Sequence, residues 1–222
     1  MKNFQNKIAV ITGGGSGIGK ALCFELAKAG AHIALCDINK SSLEAVRDEV
    51  LKRYGTDIKV TTHVCDVSNE QQVIQFRDEV IEQHQTQHVN LVFNNAGIGG
   101  GNSFINDSRN GWETTFNISW YGVYYGSRAF VPLLTASTEG YLVNTSSVNG
   151  FWASIGPKKA LTAYSAAKFA IKGFSEALVN DFRLHAPHVK VAVVMPGHIG
   201  TSNPLSTAVA QGSGSPKDMT PE

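Results

Sequence analysis

Tyr164 and Lys168 stand four residues apart in YSAAK, and an i,i+4 spacing puts both on one helix face. A phenol with an ordinary pKa near ~10 is a poor base at neutral pH. An ammonium ~4 Å away is worth about 4 kcal/mol at an effective dielectric of ~20, enough to bring a phenol into general acid/base range. The spacing alone also fits a packed aromatic under a snorkelling lysine. Ser146-Ser147 precedes this helix at the end of a strand-like run. A hydroxyl there can hold a carbonyl oxygen beside Tyr164 without acting as a nucleophile. Equally, it can cap backbone groups. No G-x-S-x-G elbow is present, so hydrolase chemistry is not indicated.

A second group of residues points to a dinucleotide. Thr12-Gly13-Gly14-Gly15-Ser16-Gly17-Ile18-Gly19 lies between a strand and a helix. Glycines there let a pyrophosphate reach backbone N–H groups at the helix N-terminus. Asp37, at the end of the second strand, can accept hydrogen bonds from ribose hydroxyls and would repel a 2′-phosphate. Ile38 follows it, and the Gly loop holds no Arg or Lys. NAD is therefore expected over NADP. Asp66 closes the third strand, where it can meet an adenine edge or cap the next helix. Asn94-Asn95-Ala96-Gly97 closes the fourth, where asparagines can tie strands together and line a cofactor. Asn117 interrupts a long apolar helix, as a bend, a water site or a solvated residue.

These residues need a scaffold that brings strand ends together. Strands are expected at 7–12, 32–38, 57–67, 88–97, 140–147 and 188–197. Helices are expected at 18–30, 41–55, 69–85, 110–136 and 162–185. The alternation implies a doubly wound parallel α/β sheet of order 3-2-1-4-5-6, with ligands outside the carboxyl ends of the strands. Trp112, Phe116, Trp120 and Tyr124 recur every four residues and are expected at a helix–helix interface. His84 and His88 share an i,i+4 spacing but lack a third ligand nearby, so no metal is expected.

The chain has 222 residues, 42% of them apolar, and a formal charge of +1. The balance gives no pull toward nucleic acid or anionic lipid. No apolar run reaches the ~18 residues of a membrane span, and residues 1–7 lack a signal-peptide core, so a cytoplasmic protein is expected. Three cysteines without a C-x-x-C indicate neither a disulfide framework nor a zinc site. After Thr201 the sequence turns small and polar. Residues 1–201 are expected to form one Rossmann-type domain, and 202–222 a mobile substrate-lid segment.

Taken in order, TGGGSGIG (12–19), Asp66 in CDV, NNAG (94–97), Asn117, TSS (145–147), YSAAK (164–168) and PGHIGT (196–201) strongly resemble the short-chain dehydrogenase/reductase family. The resemblance implies an Asn117–Ser147–Tyr164–Lys168 tetrad. In it Tyr164 is the general acid/base and Lys168 lowers its pKa and binds the nicotinamide ribose. Ser147, chosen over Ser146 by its S-x-x-G context, positions the substrate oxygen, and Asn117 holds a water. It implies cofactor contacts along Thr12, Gly13, Ser16, Gly17, Ile18, Gly19, Asp37, Ile38, Asp66, Val67, Asn94, Ala96, Gly97, Tyr164, Lys168, Pro196, Gly197, Ile199 and Thr201. Phe151 and Trp152 are expected to wall the substrate pocket with Ser147. The implied activity is NAD-dependent hydride transfer with a small-molecule secondary alcohol or ketone, in a homodimer or homotetramer. A cofactor-binding but inactive sensor or scaffold, an NADP-linked carbonyl reductase and a Rossmann-like methyltransferase are the alternatives. The sequence stops at Glu222 without the family's usual last helix and seventh strand, and 151–163 is a few residues longer than usual.

Overall fold

The computed structural model describes residues 1–101, 103–153, 160–197 and 199. Six parallel strands form one sheet: β1 (Ile8–Thr12), β2 (His32–Asp37), β3 (Val60–Val64), β4 (Leu91–Asn94), β5 (Gly140–Thr145) and β6 (Val189–Val194). Their order is β3-β2-β1-β4-β5-β6, as expected for a doubly wound sheet. The helices are α1 (Gly17–Lys28), α2 (Lys40–Tyr54), α3 (Glu70–His84), α4 (Arg109–Phe116), α5 (Gly122–Thr135) and α6 (Thr162–His185).

The strands are nearly continuous apolar runs because both faces are covered. On one face Ile11, Ile33 and Leu35 pack against Phe24 of α1 and Leu43 and Val46 of α2. On the other, Val10, Val92 and Leu142 pack against Phe76 of α3, Phe130 of α5 and Phe182 of α6. At ~1.5–3 kcal/mol per buried large apolar side chain, these two layers are the main term holding strand ends in place. Among the described residues β6 is the sheet's outer strand, with Lys190, Ala192 and Val194 exposed.

Several boundaries differ from the sequence expectation. The single helix expected at 110–136 is α4 and α5 joined by a π-helical turn, Asn117–Tyr121, closed by Gly122 N–H donating to the Asn117 carbonyl. The extra residue rotates the chain, so Trp112 stacks on Phe116 while Trp120 and Tyr124 form a second stack. Phe174 of α6 meets that second stack edge-on, which makes it the expected helix–helix contact. β3 and β4 are shorter than expected because side chains at their ends take over the backbone hydrogen bonds. Asp66 Oδ1 accepts the N–H and hydroxyl of Ser68, turning the chain out of β3, and Asn69 then caps α3.

Candidate active site

At the end of β1, Gly13 has φ +66°, a left-handed conformation that costs other residues strain. The loop folds so tightly that a Cβ on Gly19 would lie 2.0 Å from the Gly13 carbonyl oxygen. Asn95 clamps the loop from β4. Its Nδ2 donates to the Thr12 carbonyl at 3.1 Å, while Thr12 Oγ1 accepts the N–H groups of Asn95 and Ala96, each at 3.0 Å. Gly19→Ala should therefore destabilise the chain by about 1–3 kcal/mol, since the opposing atom is backbone and cannot rotate away. Urea unfolding checks this; an unchanged midpoint would mean the loop has room.

The N-terminus of α1 faces this loop with no capping bond from Ser16 and no acidic side chain in its first turn. Asp37 bridges loop and strand: Oδ2 accepts Gly15 N–H and Oδ1 accepts Asn39 N–H, both at 3.1 Å. Ile38 is exposed beside it. Val67 is buried, and a Cβ on Gly122 would come within 2.8 Å of it, so its side chain supports the start of α5. Asn94 is buried as well. It pairs with Asn144 in register across β4 and β5, donating to Asn144 Oδ1 at 2.9 Å and to Ser127 Oγ at 3.1 Å. Its Nδ2 thus ties strands together, while its Oδ1 is buried without a hydrogen-bond partner among the described residues. Asn95, absent from the expected set, is the asparagine that touches the Gly loop.

The second group gathers on β5 and α6. Ser147 is buried, and its Oγ accepts Asn149 N–H at 3.2 Å in a short 3-10 turn. Ser146 Oγ donates to the Lys168 carbonyl at 2.7 Å, a purely structural contact. Gly150 is needed there, because a Cβ on it would lie 2.6 Å from that same carbonyl. Lys168 is buried, with Nζ donating to the Thr145 carbonyl at 2.8 Å. The ammonium lies 3.4 Å from the position of a Cβ on Gly97, so it reaches the end of β4 beside the Asn95–Thr12 clamp. Burial pulls its pKa down to about 8.

Tyr164 lies one turn before Lys168 on α6. Its pKa is raised by burial, and hydrogen bonding with Ser147 only partly offsets this. Lys168 Nζ stands 5.4 Å from the phenol ring centroid and spends a hydrogen bond on Thr145. The spacing brings the two together but aims the ammonium at the ring and the strand end.

Asn117 is exposed at the start of the π turn. Pro196 accepts Val148 N–H at 3.0 Å, which sets the segment after β6 beside Ser147. Gly197 and Ile199 are exposed, and Thr201 and residues 202–222 lie outside the described residues. Phe151 and Trp152 are exposed after the 3-10 turn. His84 ends α3 and bonds Thr61, so it shares no helix face with His88. Among the described residues no cluster could hold a metal, and no helix is long and apolar enough to cross a membrane.

Comparison with known proteins fits this geometry. A family model described as short chain dehydrogenase matches residues 7–209. A putative oxidoreductase, SadH, of Mycobacterium tuberculosis is 36% identical over 212 residues, which cover 96% of this chain and 74% of that protein. A short-chain dehydrogenase/reductase from Burkholderia phymatum, solved in complex with NAD, superposes with a TM-score of 0.83 at 30% identity, covering 100% of this chain and 75% of that one. An alcohol dehydrogenase from the archaeon Thermococcus sibiricus, complexed with 5-hydroxy-NADP, gives 0.78 at 28% identity over 96% and 83% of the two chains. Relatives thus include NAD and NADP-type complexes on one fold. With its sheet order, Gly loop and Tyr-Lys helix, the chain belongs to the short-chain dehydrogenase/reductase family of oxidoreductases.

Proposed function

We propose that this chain is an NAD-dependent oxidoreductase that moves a hydride between the nicotinamide and the carbon of a secondary alcohol or ketone, with Tyr164 as general acid/base. The observation that carries this is the continuity of two sites: the Lys168 ammonium beside Gly97, and Asn95 of the same strand end clamping the Gly loop. The cradle fits a dinucleotide. Its uncapped helix N-terminus and acid-free first turn suit a pyrophosphate, and any side chain on Gly19 would collide with the loop's own backbone. Thr12, Gly13, Ser16, Gly17, Ile18 and Gly19 would hold the phosphates, Asp37 the adenosine ribose, and Lys168 the nicotinamide ribose. The bound cofactor supplies the hydride acceptor or donor.

Within that frame Tyr164 takes the hydroxyl proton during oxidation and returns it during reduction. Ser147, already linked to the phenol, fixes the substrate oxygen on the same side. Asn117, exposed at the π turn, is the water-holding residue of the relay; π turns recur at functional sites. A cytoplasmic location and a homodimer or homotetramer rest on sequence and family resemblance alone.

Asp37 carries the choice of NAD. Its carboxylate is committed to two backbone N–H groups and so is held at the strand end. A 2′-phosphate there would meet a fixed like charge. Titration with NADH and NADPH tests this, with NADH expected to bind tighter. Asp37→Ser should shift the affinity ratio toward NADPH by at least about tenfold. Tighter NADPH binding by the unaltered chain would replace this reading with an NADP-linked reductase.

A further inference from the structure

The first turn of α6 is tied on both sides of Tyr164. At ~100° per residue, Ala163 and Ser165 flank the tyrosine to either side of the helix. On the Ala163 side, the Gly101 carbonyl accepts Ala163 N–H at 3.1 Å and the Thr162 hydroxyl at 2.9 Å. Trp112 Nε1 donates to Thr162 Oγ1 at 3.1 Å, and Phe104 lies edge-on to Trp112. On the Ser165 side, Ser165 Oγ donates to the Ala153 carbonyl at 2.8 Å, fixing the turn that carries Phe151 and Trp152. Each loop leaves large apolar groups in solvent: Phe104 is 77% exposed and Ile105 90%, Phe151 57% and Trp152 69%. Side chains of that size cost free energy in water and mark binding surfaces when they cluster. Segments 99–106 and 148–153 contain no charged residue or histidine. Among the described residues, the charges that follow the first segment are occupied, Asp107 with Ser103 N–H and Arg109 with Glu113; Lys158 and Lys159, which follow the second in sequence, lie outside the described residues.

We infer that the substrate is a secondary alcohol or ketone bearing an apolar arm on each side of the reacting carbon, one arm held by Phe104 and Ile105 and the other by Phe151 and Trp152. The inference rests on Tyr164 being the proton-transfer group.

The test compares kcat/KM for 2-propanol, 2-heptanol, 4-heptanol and 3-hydroxybutyrate at saturating NAD, in the unaltered chain and in Phe104→Ser and Trp152→Ser. The two heptanols are isomers, so overall hydrophobicity is matched. The unaltered chain should prefer 4-heptanol over 2-propanol by about 100-fold, a preference carried mainly by KM. Each substitution should lower that ratio about tenfold. With 2-heptanol, whose long arm lies on one side only, one substitution should lower the ratio and the other should not. Because each ratio is taken within one variant, partial misfolding cancels. A 4-heptanol to 2-propanol ratio near one, a preference for 3-hydroxybutyrate, or ratios unmoved by both substitutions would overturn the inference and leave the Tyr164 reading standing. Oxidation of none of the four, or oxidation undiminished by Tyr164→Phe, would remove the Tyr164 reading and this inference with it.

Discussion

Tyr164→Phe is expected to lower kcat by about 10³-fold, within the range for losing a general acid/base, while the Kd for NADH stays within about twofold. Phenylalanine keeps the ring over which the Lys168 ammonium stands, at 5.4 Å from the centroid. It removes only the hydroxyl. Ser147 keeps its bond to Asn149 N–H, so the 3-10 turn remains anchored. Lys168 keeps the Thr145 carbonyl. A change confined to one oxygen atom should therefore appear in turnover and not in cofactor affinity or fold. Steady-state rates and a fluorescence titration on the same preparation separate the two. Retained turnover would move the proton transfer to Ser147 or to a water. An unaltered chain that binds NADH but oxidises no alcohol would favour the sensor or scaffold alternative.

The parts of this site that the sequence reveals are those at strand ends and on regular helices. α6 is legible residue for residue, because no proline and no turn sequence interrupts the stretch from Thr162 to His185. The sheet order followed from strand–helix alternation, and the Gly loop from its position between β1 and α1. What escaped was direction. Asn94 and Asn95 are adjacent and chemically identical, yet one faces Asn144 and the core and the other faces the Gly loop. Only the pleat of β4 decides which, and β4 ends at Asn94, three residues before the end expected from the sequence. The π turn at Asn117 was likewise hidden, because a single inserted residue leaves the apolar repeat on either side intact. The Tyr164–Lys168 pair shows the same limit. An i,i+4 spacing brings two side chains near each other, but it does not say that the ammonium will choose the Thr145 carbonyl, nor that burial will raise the pKa of the phenol.

That burial gives the second large effect. Lys168 falls from the ordinary lysine value of 10.5 to about 8 because the folded chain keeps its charge out of water. At pH 7 both folded and unfolded chains carry the proton, and the folded chain bears the full cost, about 3 kcal/mol. As pH rises from about 8 toward ~10.4, the folded state gives up the proton first. The unfolded state then binds more protons, so stability rises with pH across that window. Lys168→Met removes the charge and keeps an unbranched apolar chain of similar length. It also strips the Thr145 carbonyl of its donor, at about 1–2 kcal/mol. The net expectation is a variant about 1–2 kcal/mol more stable than the natural chain at pH 7, and equal or less stable at pH 10, where the neutral amine still donates to Thr145. Urea unfolding of both chains at the two pH values reads the difference directly, without cofactor, and cancels the titration of every other group they share. A variant less stable at pH 7, or an advantage that does not shrink by pH 10, would show that the ammonium is well solvated where it lies. If the advantage appears while turnover is lost, the buried cation is a cost to the fold that only the reaction explains.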